Sequence, residues 1–328
     1  MSVIKSVAMV LLRSMLAAMR LALPLLALSL SLPAVALHAQ TAPPPLQAQV
    51  EQQLAQGPAG TRYGLIVATL EGETVLTVDA DQRFIPASNT KMFTTATAYA
   101  QLAALDATAK GTGVRLEDGD VILYGRGDAR LSSAEGCTTD CLQTLADAVA
   151  ARTRHVRHVV GDDSWYPDER WGPGMSWNNI QSRYGTGISA LTIDDNEMTA
   201  TVAPGAIGTR PQIEASDYYA IDNRVLTVAG KGEAIVTDRA PNGRLIRLTG
   251  TIGVEAAPAT LHFSIDDPAH YAAWRMAGLL RARGVKVGGE VMARHRPLAP
   301  ADDPAIRKGA PAAQPPLPTM LAELPTLP

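Results

Sequence analysis

Ser88 and Lys91 stand three residues apart in "FIPASNTKMFTTATAYAQL" (residues 84–102), just past Pro86, where an apolar run begins. On a helix, residues i and i+3 share a face and their side chains can meet. A serine in the first turn lies in the positive end of the helix dipole. A lysine buried one turn later gives up its proton more easily, because desolvation disfavours the ammonium form. The neutral amine can then accept the serine proton, so this pair can perform nucleophilic catalysis without histidine. Met92, Phe93, Ala96, Tyr99, Ala100 and Ala103 recur at three- and four-residue spacing, which predicts a helix buried on one face. Pro86 supplies the helix-entry signal.

The tetrapeptide alone is a weak signal. With 14 Ser and 6 Lys in 328 residues, random placement gives roughly a quarter of one match. The sequence holds two. The other, Ser2-Val3-Ile4-Lys5, lies in the positive region of an export signal and is a decoy. Ser88 differs in context, since it follows a hairpin signal and opens an apolar helix. Other chemistries lack their motifs: there is no Gly-x-Ser-x-Gly, no His-Glu-x-x-His and no phosphate loop. His155 and His158 read as surface or satisfied histidines, and Arg126-Gly127-Asp128 as a turn.

Against 29 basic residues stand 32 acidic ones, a formal charge of −3, which gives no nucleic-acid or membrane-surface footprint. Lys5, Arg13 and Arg20 precede the apolar "LALPLLALSLSLPAVAL" (21–37), the pattern of a secretory signal over residues 1–39, with cleavage near Ala36 or Ala39. The alternative is a retained anchor, but Pro24 and Pro33 break the run and no later stretch is long and apolar enough to span a bilayer. A soluble exported protein is the expectation. An oxidising compartment favours a bond between Cys137 and Cys141, which lie one turn apart if their segment is helical; the alternative is two free thiols. A metal site is not expected, as no further Cys exists and no His lies nearby in sequence.

The elements that must position these residues follow from periodicity. Residues 40–60 read as a linker running into a polar helix. "RYGLIVATLEGETVLTVDADQRF" alternates as two strands around Glu71-Gly72-Glu73. From about 111 the texture changes. "GVRLEDGDVILYGRGDARL" is strand-like, "CLQTLADAVAARTRH" an amphipathic helix, and "VRHVVGDD" a strand. A Trp- and Pro-rich loop follows. Residues 191–265 carry several short strands, with Pro241-Asn242-Gly243 as the clearest turn, and "PAHYAAWRMAGLLRARGV" is a last helix. A Pro- and Ala-rich stretch runs from 294 to 328.

Several of these segments together resemble the D-alanyl-D-alanine carboxypeptidase/endopeptidases, penicillin-binding proteins of the low-molecular-mass class C type. "FIPASNTKMFTTATAYAQL" has that family's Pro-Ala-Ser-x-x-Lys form, and "LYGRGDARL" resembles its Gly-Gly-Asp-Pro segment. "GDDSWYPDERWGPGMSWNNIQSRYGTGISALTIDDNEM" is similar to its most distinctive block, and the likeness runs from about 45 to 328. The resemblance implies an α/β plus β fold: a transpeptidase domain, antiparallel sheet with helices, interrupted by a long insertion. Its N-terminal part would occupy 40–110. The insertion would hold an α/β domain (111–190 and 266–293) with a β-rich domain (191–265) nested inside, and 294–328 would be a return segment. It further implies a periplasmic hydrolase without cofactor that cleaves peptidoglycan stem peptides through an acyl-serine and is trapped by β-lactams. Ser88 would be the nucleophile, Lys91 its base, and Asp162 the acidic residue that holds the diaminopimelate amino group. An ordinary turn or cap is the alternative for Asp162, and Asp163 its neighbouring competitor.

That family completes its site with Ser-x-Asn and Lys-Thr-Gly motifs after the insertion. Ser176-Trp177-Asn178 fits the first only as a string within the Trp-rich block, and no Lys-Thr-Gly occurs; Leu248-Thr249-Gly250 lacks the cation. The expectation is therefore a truncated, catalytically incomplete chain. Competing readings are a serine β-lactamase, which would lack the long insertion, and a non-catalytic cell-wall-binding protein of the same fold.

Overall fold

The structure, a computed structural model, describes residues 45–101, 110–310 and 316–325. The expected signal segment, 1–39, lies outside the described residues. The chain divides into two units, Met1–Tyr99 and Ala100–Pro328.

In the first unit, the polar helix α1 (Leu46–Leu54) buries none of its residues. Strands β1 (Leu65–Ala68) and β2 (Thr74–Val78) pair antiparallel, Leu65 opposite Val78 and Val67 opposite Leu76. Their turn is closed by Thr69 N–H donating to the Glu73 carbonyl at 2.8 Å, with Gly72 at φ 90°. The Gln47 side chain ties α1 to this hairpin by donating to the Thr77 carbonyl at 2.8 Å. Helix α2 (Thr90–Gln101) follows, and here the structure departs from the sequence reading. No α2 residue is buried; Met92, Phe93 and Tyr99 are 64, 69 and 88 % exposed. The periodicity correctly marks a helix, but two strands are too little surface to cover its apolar face. Leu76 is the one fully buried hydrophobic side chain among the unit's described residues.

The second unit is built on a five-stranded sheet. Strands β3 (Lys110–Glu117) and β4 (Asp120–Tyr124) form a hairpin about Asp118-Gly119, both at positive φ, the pair of conformations that a two-residue hairpin turn requires. A two-stranded ladder follows, β5 (His155–Val156) with its later partner at 286–287. Strand β6 (Val159–Pro167) runs parallel to β4. Helix α3 (Leu142–Arg152) connects β4 to β6 and buries Leu142, Leu145, Ala146 and Val149. Cys137 and Cys141 are joined by a disulfide with a Cα separation of 5.7 Å. The bond closes a turn ahead of α3, whose N-cap is Cys141, and does not link two turns of a helix.

Between residues 197 and 264 the chain forms two sheets of its own. Strands β7 (Glu197–Ala203), β8 (Gln212–Ala215) and β13 (Ala259–Ser264) give one, in the order β13-β7-β8. Strands β9 (Ala220–Asn223), β10 (Leu226–Val228), β11 (Glu233–Asp238) and β12 (Leu245–Gly253) give the other. The β11–β12 hairpin turns at Pro241-Asn242-Gly243, with Asn242 at φ 56°.

Helix α4 (Pro268–Ala282) opens on a real cap: Asp267 Oδ1 accepts from His270 N–H at 2.9 Å, and Pro268 occupies the first turn. It lies against β6 and buries Tyr271, Met276 and Leu280 among others. Strand β14 (Lys286–Val287) completes the small ladder with β5. Strand β15 (Val291–Arg296) pairs parallel with β6, and β16 (Ala322–Pro325) pairs antiparallel with β3, giving the order β15-β6-β4-β3-β16. The sheet thus draws on more of the chain than 111–190 and 266–293. The four residues of β16 were hidden in a Pro- and Ala-rich stretch, too short for periodicity to register; Leu324 is nonetheless 3 % exposed. Pro325 is tolerated because β16 is an edge strand.

Candidate active site

Pro86 leads into Ala87, a non-glycine residue at φ 45°, a left-handed conformation that costs on the order of 1–2 kcal/mol. Ala87–Asn89 then form one 3-10 turn, closed by Asn89 N–H on the Pro86 carbonyl, before α2 begins at Thr90. Ser88 in this turn stands three positions before Lys91 in α2, and helical residues i and i+3 share a face. The Lys91 ammonium accordingly donates to Ser88 Oγ at 3.0 Å. That is a distance at which a proton can pass between nitrogen and oxygen. Within α2, the Thr95 hydroxyl donates to the Lys91 carbonyl at 2.7 Å and that of Thr94 to the Thr90 carbonyl at 3.3 Å. Ser88 and Lys91 are both exposed. The burial on which a lysine base relies is not supplied by the described residues of this unit.

Asp162 belongs to the second unit and is buried, 2 % exposed, near the middle of β6. Its Oδ1 accepts from the backbone and the hydroxyl of Ser164, at 3.1 and 2.6 Å. Its Oδ2 accepts from Arg294 Nη1 at 3.2 Å, Arg294 being its register partner on β15. Burial, and after it the Asp162 charge, pushes the Tyr124 phenol above its ordinary value. Asp163 is the next residue, so it points to the opposite face of the strand. There it accepts from the Ser189 hydroxyl at 2.8 Å and faces His295 Nδ1 at 2.8 Å. The two aspartates, indistinguishable as a string, are therefore separated by their partners.

His295 holds this second network together. Its Nε2 lies 3.2 Å from Asp267 Oδ2, the cap of α4, and 3.1 Å from Arg170 Nη2. Its hydrogen bonds to Asp163 first and Asp267 second push its pKa up to about 10, so the ring is a cation between two carboxylates. Burial works against ionisation of Asp267, but the hydrogen bonds from His295 and His270 N–H hold its pKa below the ordinary carboxylate value. Sequence reading missed Arg294 and His295. The signal present was "VMARHR", a strand-like run with charged residues on both of its faces.

Gly161 explains how α4 reaches this strand. A Cβ there would collide with the Ala269 carbonyl, so only glycine lets the first turn of α4 lie against β6. Elsewhere, the Ser176 hydroxyl donates to Asn178 Oδ1 in an exposed turn, while Leu248-Thr249-Gly250 is part of β12. His158 Nδ1 accepts from Glu290 N–H at 2.9 Å, and His155 is exposed at the start of β5. Among the described residues no group of three or more His, Cys, Asp and Glu side chains could hold a metal, and no helix is long and apolar enough to cross a membrane.

The chain is similar to known proteins along most of its length. It is 33 % identical over 249 residues to a D-alanyl-D-alanine carboxypeptidase of Actinomadura sp., an alignment that covers 69 % of this chain and 44 % of the relative. The chain thus spans less than half the length of that curated relative. Crystal structures of penicillin-binding protein 4 from Haemophilus influenzae share the fold. One superposes with a TM-score of 0.60 at 19 % identity, covering 76 % of this chain and 57 % of the other. A second, complexed with a β-lactam, gives 0.52 at 18 % identity, covering 76 % and 55 %. The sequence profile of one family spans residues 46–323, Ser88, Lys91 and Asp162 included. On that match the chain belongs to the D-Ala-D-Ala carboxypeptidase 3 (S13) family.

Proposed function

We propose that the protein is a serine-type D-Ala-D-Ala carboxypeptidase/endopeptidase of peptidoglycan stem peptides, exported to the periplasm by its N-terminal segment, with Ser88 as nucleophile and Lys91 as base. The observation that carries the reading is the 3.0 Å contact between Ser88 Oγ and Lys91 Nζ at the entry to α2. Membership of the family supports it, and the name of the Actinomadura relative agrees with it. In its free-amine form Lys91 takes the Ser88 proton as Oγ attacks the carbonyl of the terminal peptide bond. The C–N bond breaks, the departing amine receives a proton, and water then releases the acyl group from Ser88. A β-lactam enters by the same attack; its ring opens and the amine remains tethered, so it blocks the site. The length of chain between Ser88 and the last strand, more than 200 residues in four further sheets, does not favour a β-lactamase, which would lack such an insertion.

Asp162 is the residue we assign to the substrate amino group, on the strength of its place in the "GDDSWY" block. The test of the main reading is made on the protein as its host produces it. Labelled penicillin should add its mass to the peptide 84–91, and Ser88→Ala should abolish the label. A label on any other serine would refute the assignment.

A further inference from the structure

A cavity of about 420 Å³ lies where the β11–β12 turn meets the first residues of α4 and the Tyr218-Tyr219 pair ahead of β9. Its size is that of a small-molecule site. All of its walls belong to the second unit, and neither Ser88 nor Asp162 lines it. Two carboxylates do, and both are fully engaged. Asp266 accepts from both Nη atoms of Arg239 and from Asn242 N–H. Asp267 accepts from His270 N–H through Oδ1 and faces His295 and Arg170 through Oδ2. The cations are matched in turn: Arg239 by Asp266, Arg170 by Asp168 and Asp267, and His295 by Asp163 and Asp267. Arg244 is the exception. Among the described residues it forms no ion pair, and its hydrogen bonds go to neutral oxygens, the Tyr218 carbonyl at 2.7 Å and the Tyr218 phenol.

The unmatched guanidinium is also held in place. It lies 4.0 Å above the Tyr218 ring, which is buried and wedged edge-on between Tyr219 and Tyr271, with centroids at 4.8 and 4.7 Å. The Tyr218 hydroxyl donates to His270 Nδ1 at 3.2 Å. Burial first, and the Arg244 charge with it, holds the His270 pKa below its ordinary value, so the ring is neutral and free to accept. Burial also raises the Tyr218 phenol, which keeps its proton. This platform therefore brings no anion of its own to Arg244. We propose that the cavity is a binding site for a small organic carboxylate, the C-terminal end of a short peptide, with Arg244 as its anchoring cation. One unmatched charge calls for one opposite charge, and a guanidinium fork matches a planar carboxylate. A phosphate dianion would set its second charge against Asp266 and Asp267. A guanidinium already stacked on a ring loses little freedom when it takes a ligand. The second unit thus holds a peptide end by residues that owe nothing to the Ser88 pair.

Two probes that differ by one charge test this on the full chain, with no need for turnover: N-acetyl-dialanine and its C-terminal amide, titrated by NMR at the backbone amides of Asn242, Gly243 and Arg244. The wild-type chain should bind the acid about five-fold tighter or more, the scale of a partly exposed charge pair. Arg244→Met should bring the acid down to the affinity of the amide and leave the amide unchanged. Arg247, three residues further along the chain, is already paired with Asp222 and Asp238, so Arg247→Met should keep the preference. The proposal is overturned if the folded wild-type chain binds neither probe or both equally. It is overturned too if the preference survives Arg244→Met, or if Arg247→Met removes it as well, which would mark a general effect of surface charge. Inorganic phosphate, titrated at the same amides, should bind more weakly than the acid; tighter binding would refute the carboxylate assignment. Arg244→Gln repeats the measurement should the methionine variant lose its fold by circular dichroism.

Discussion

Replacing His295 by Gln should remove a stabilisation that exists only at low and neutral pH. The ring is pinned between Asp163 and Asp267, with its pKa pushed up to about 10 from an ordinary 6.5. Taken at face value such a shift corresponds to roughly 5 kcal/mol. The side chain is 22 % exposed, so solvent screens the charges, and about 2 kcal/mol is the expected remainder. The sign follows from proton binding. Between pH 6.5 and 10 the folded chain holds a proton on His295 that the unfolded chain has released. The contribution is therefore complete below pH 6.5 and is lost as pH rises through about 10. Scanning calorimetry of wild type and His295→Gln at half-unit steps from pH 6 to 10.5 measures it. The melting temperatures should differ by about 4–8 °C at pH 6 for a unit of this size, and the gap should close by pH 10.5. A gap that stays constant, or widens with pH, would show that His295 is neutral in the fold and refute the reasoning.

Two further substitutions probe the same body. Gly161→Ala places a methyl group into the Ala269 carbonyl and should cost about 1–3 kcal/mol, read as a drop in the urea midpoint with an unchanged slope; a cost well below 1 kcal/mol would mean that α4 shifts freely. Arg239→Met strands Asp266, which is 3 % exposed and accepts from both guanidinium Nη atoms at 2.5 Å, and should cost about 3–5 kcal/mol, whereas Arg239→Met with Asp266→Leu should recover most of it.

How much of this was legible depends on the range of the interaction. The Ser88–Lys91 contact is local, set by three residues of separation, and the spacing alone carries it. The Asp118-Gly119 and Pro241-Asn242-Gly243 turns are local too, because the backbone conformations they need favour Gly and Asn. The setting of Asp162 and Asp163 is not local. It depends on two consecutive residues of a strand some 130 positions away, and pairing of that range leaves no periodic trace. The exposed face of α2 marks the opposite limit: Met92, Phe93 and Tyr99 recur as a core stripe would, but periodicity tells only which face is apolar, and says nothing of what covers it.

The order of strands in the central sheet has a consequence for how the chain is made. Strand β6 waits for a neighbour whose residues follow about 130 positions later, and β3 for one about 200 positions later. A chain emerging from the ribosome at about 5–20 residues per second holds these edges open for many seconds before the closing strands exist. The two sheets of residues 197–264, by contrast, contain all their pairings within 68 residues and can complete first. Long-range closure is the slow step of such topologies. The nascent chain therefore carries a finished inner module while its outer sheet still presents unpaired backbone, and the interval is when a holding chaperone has most to protect.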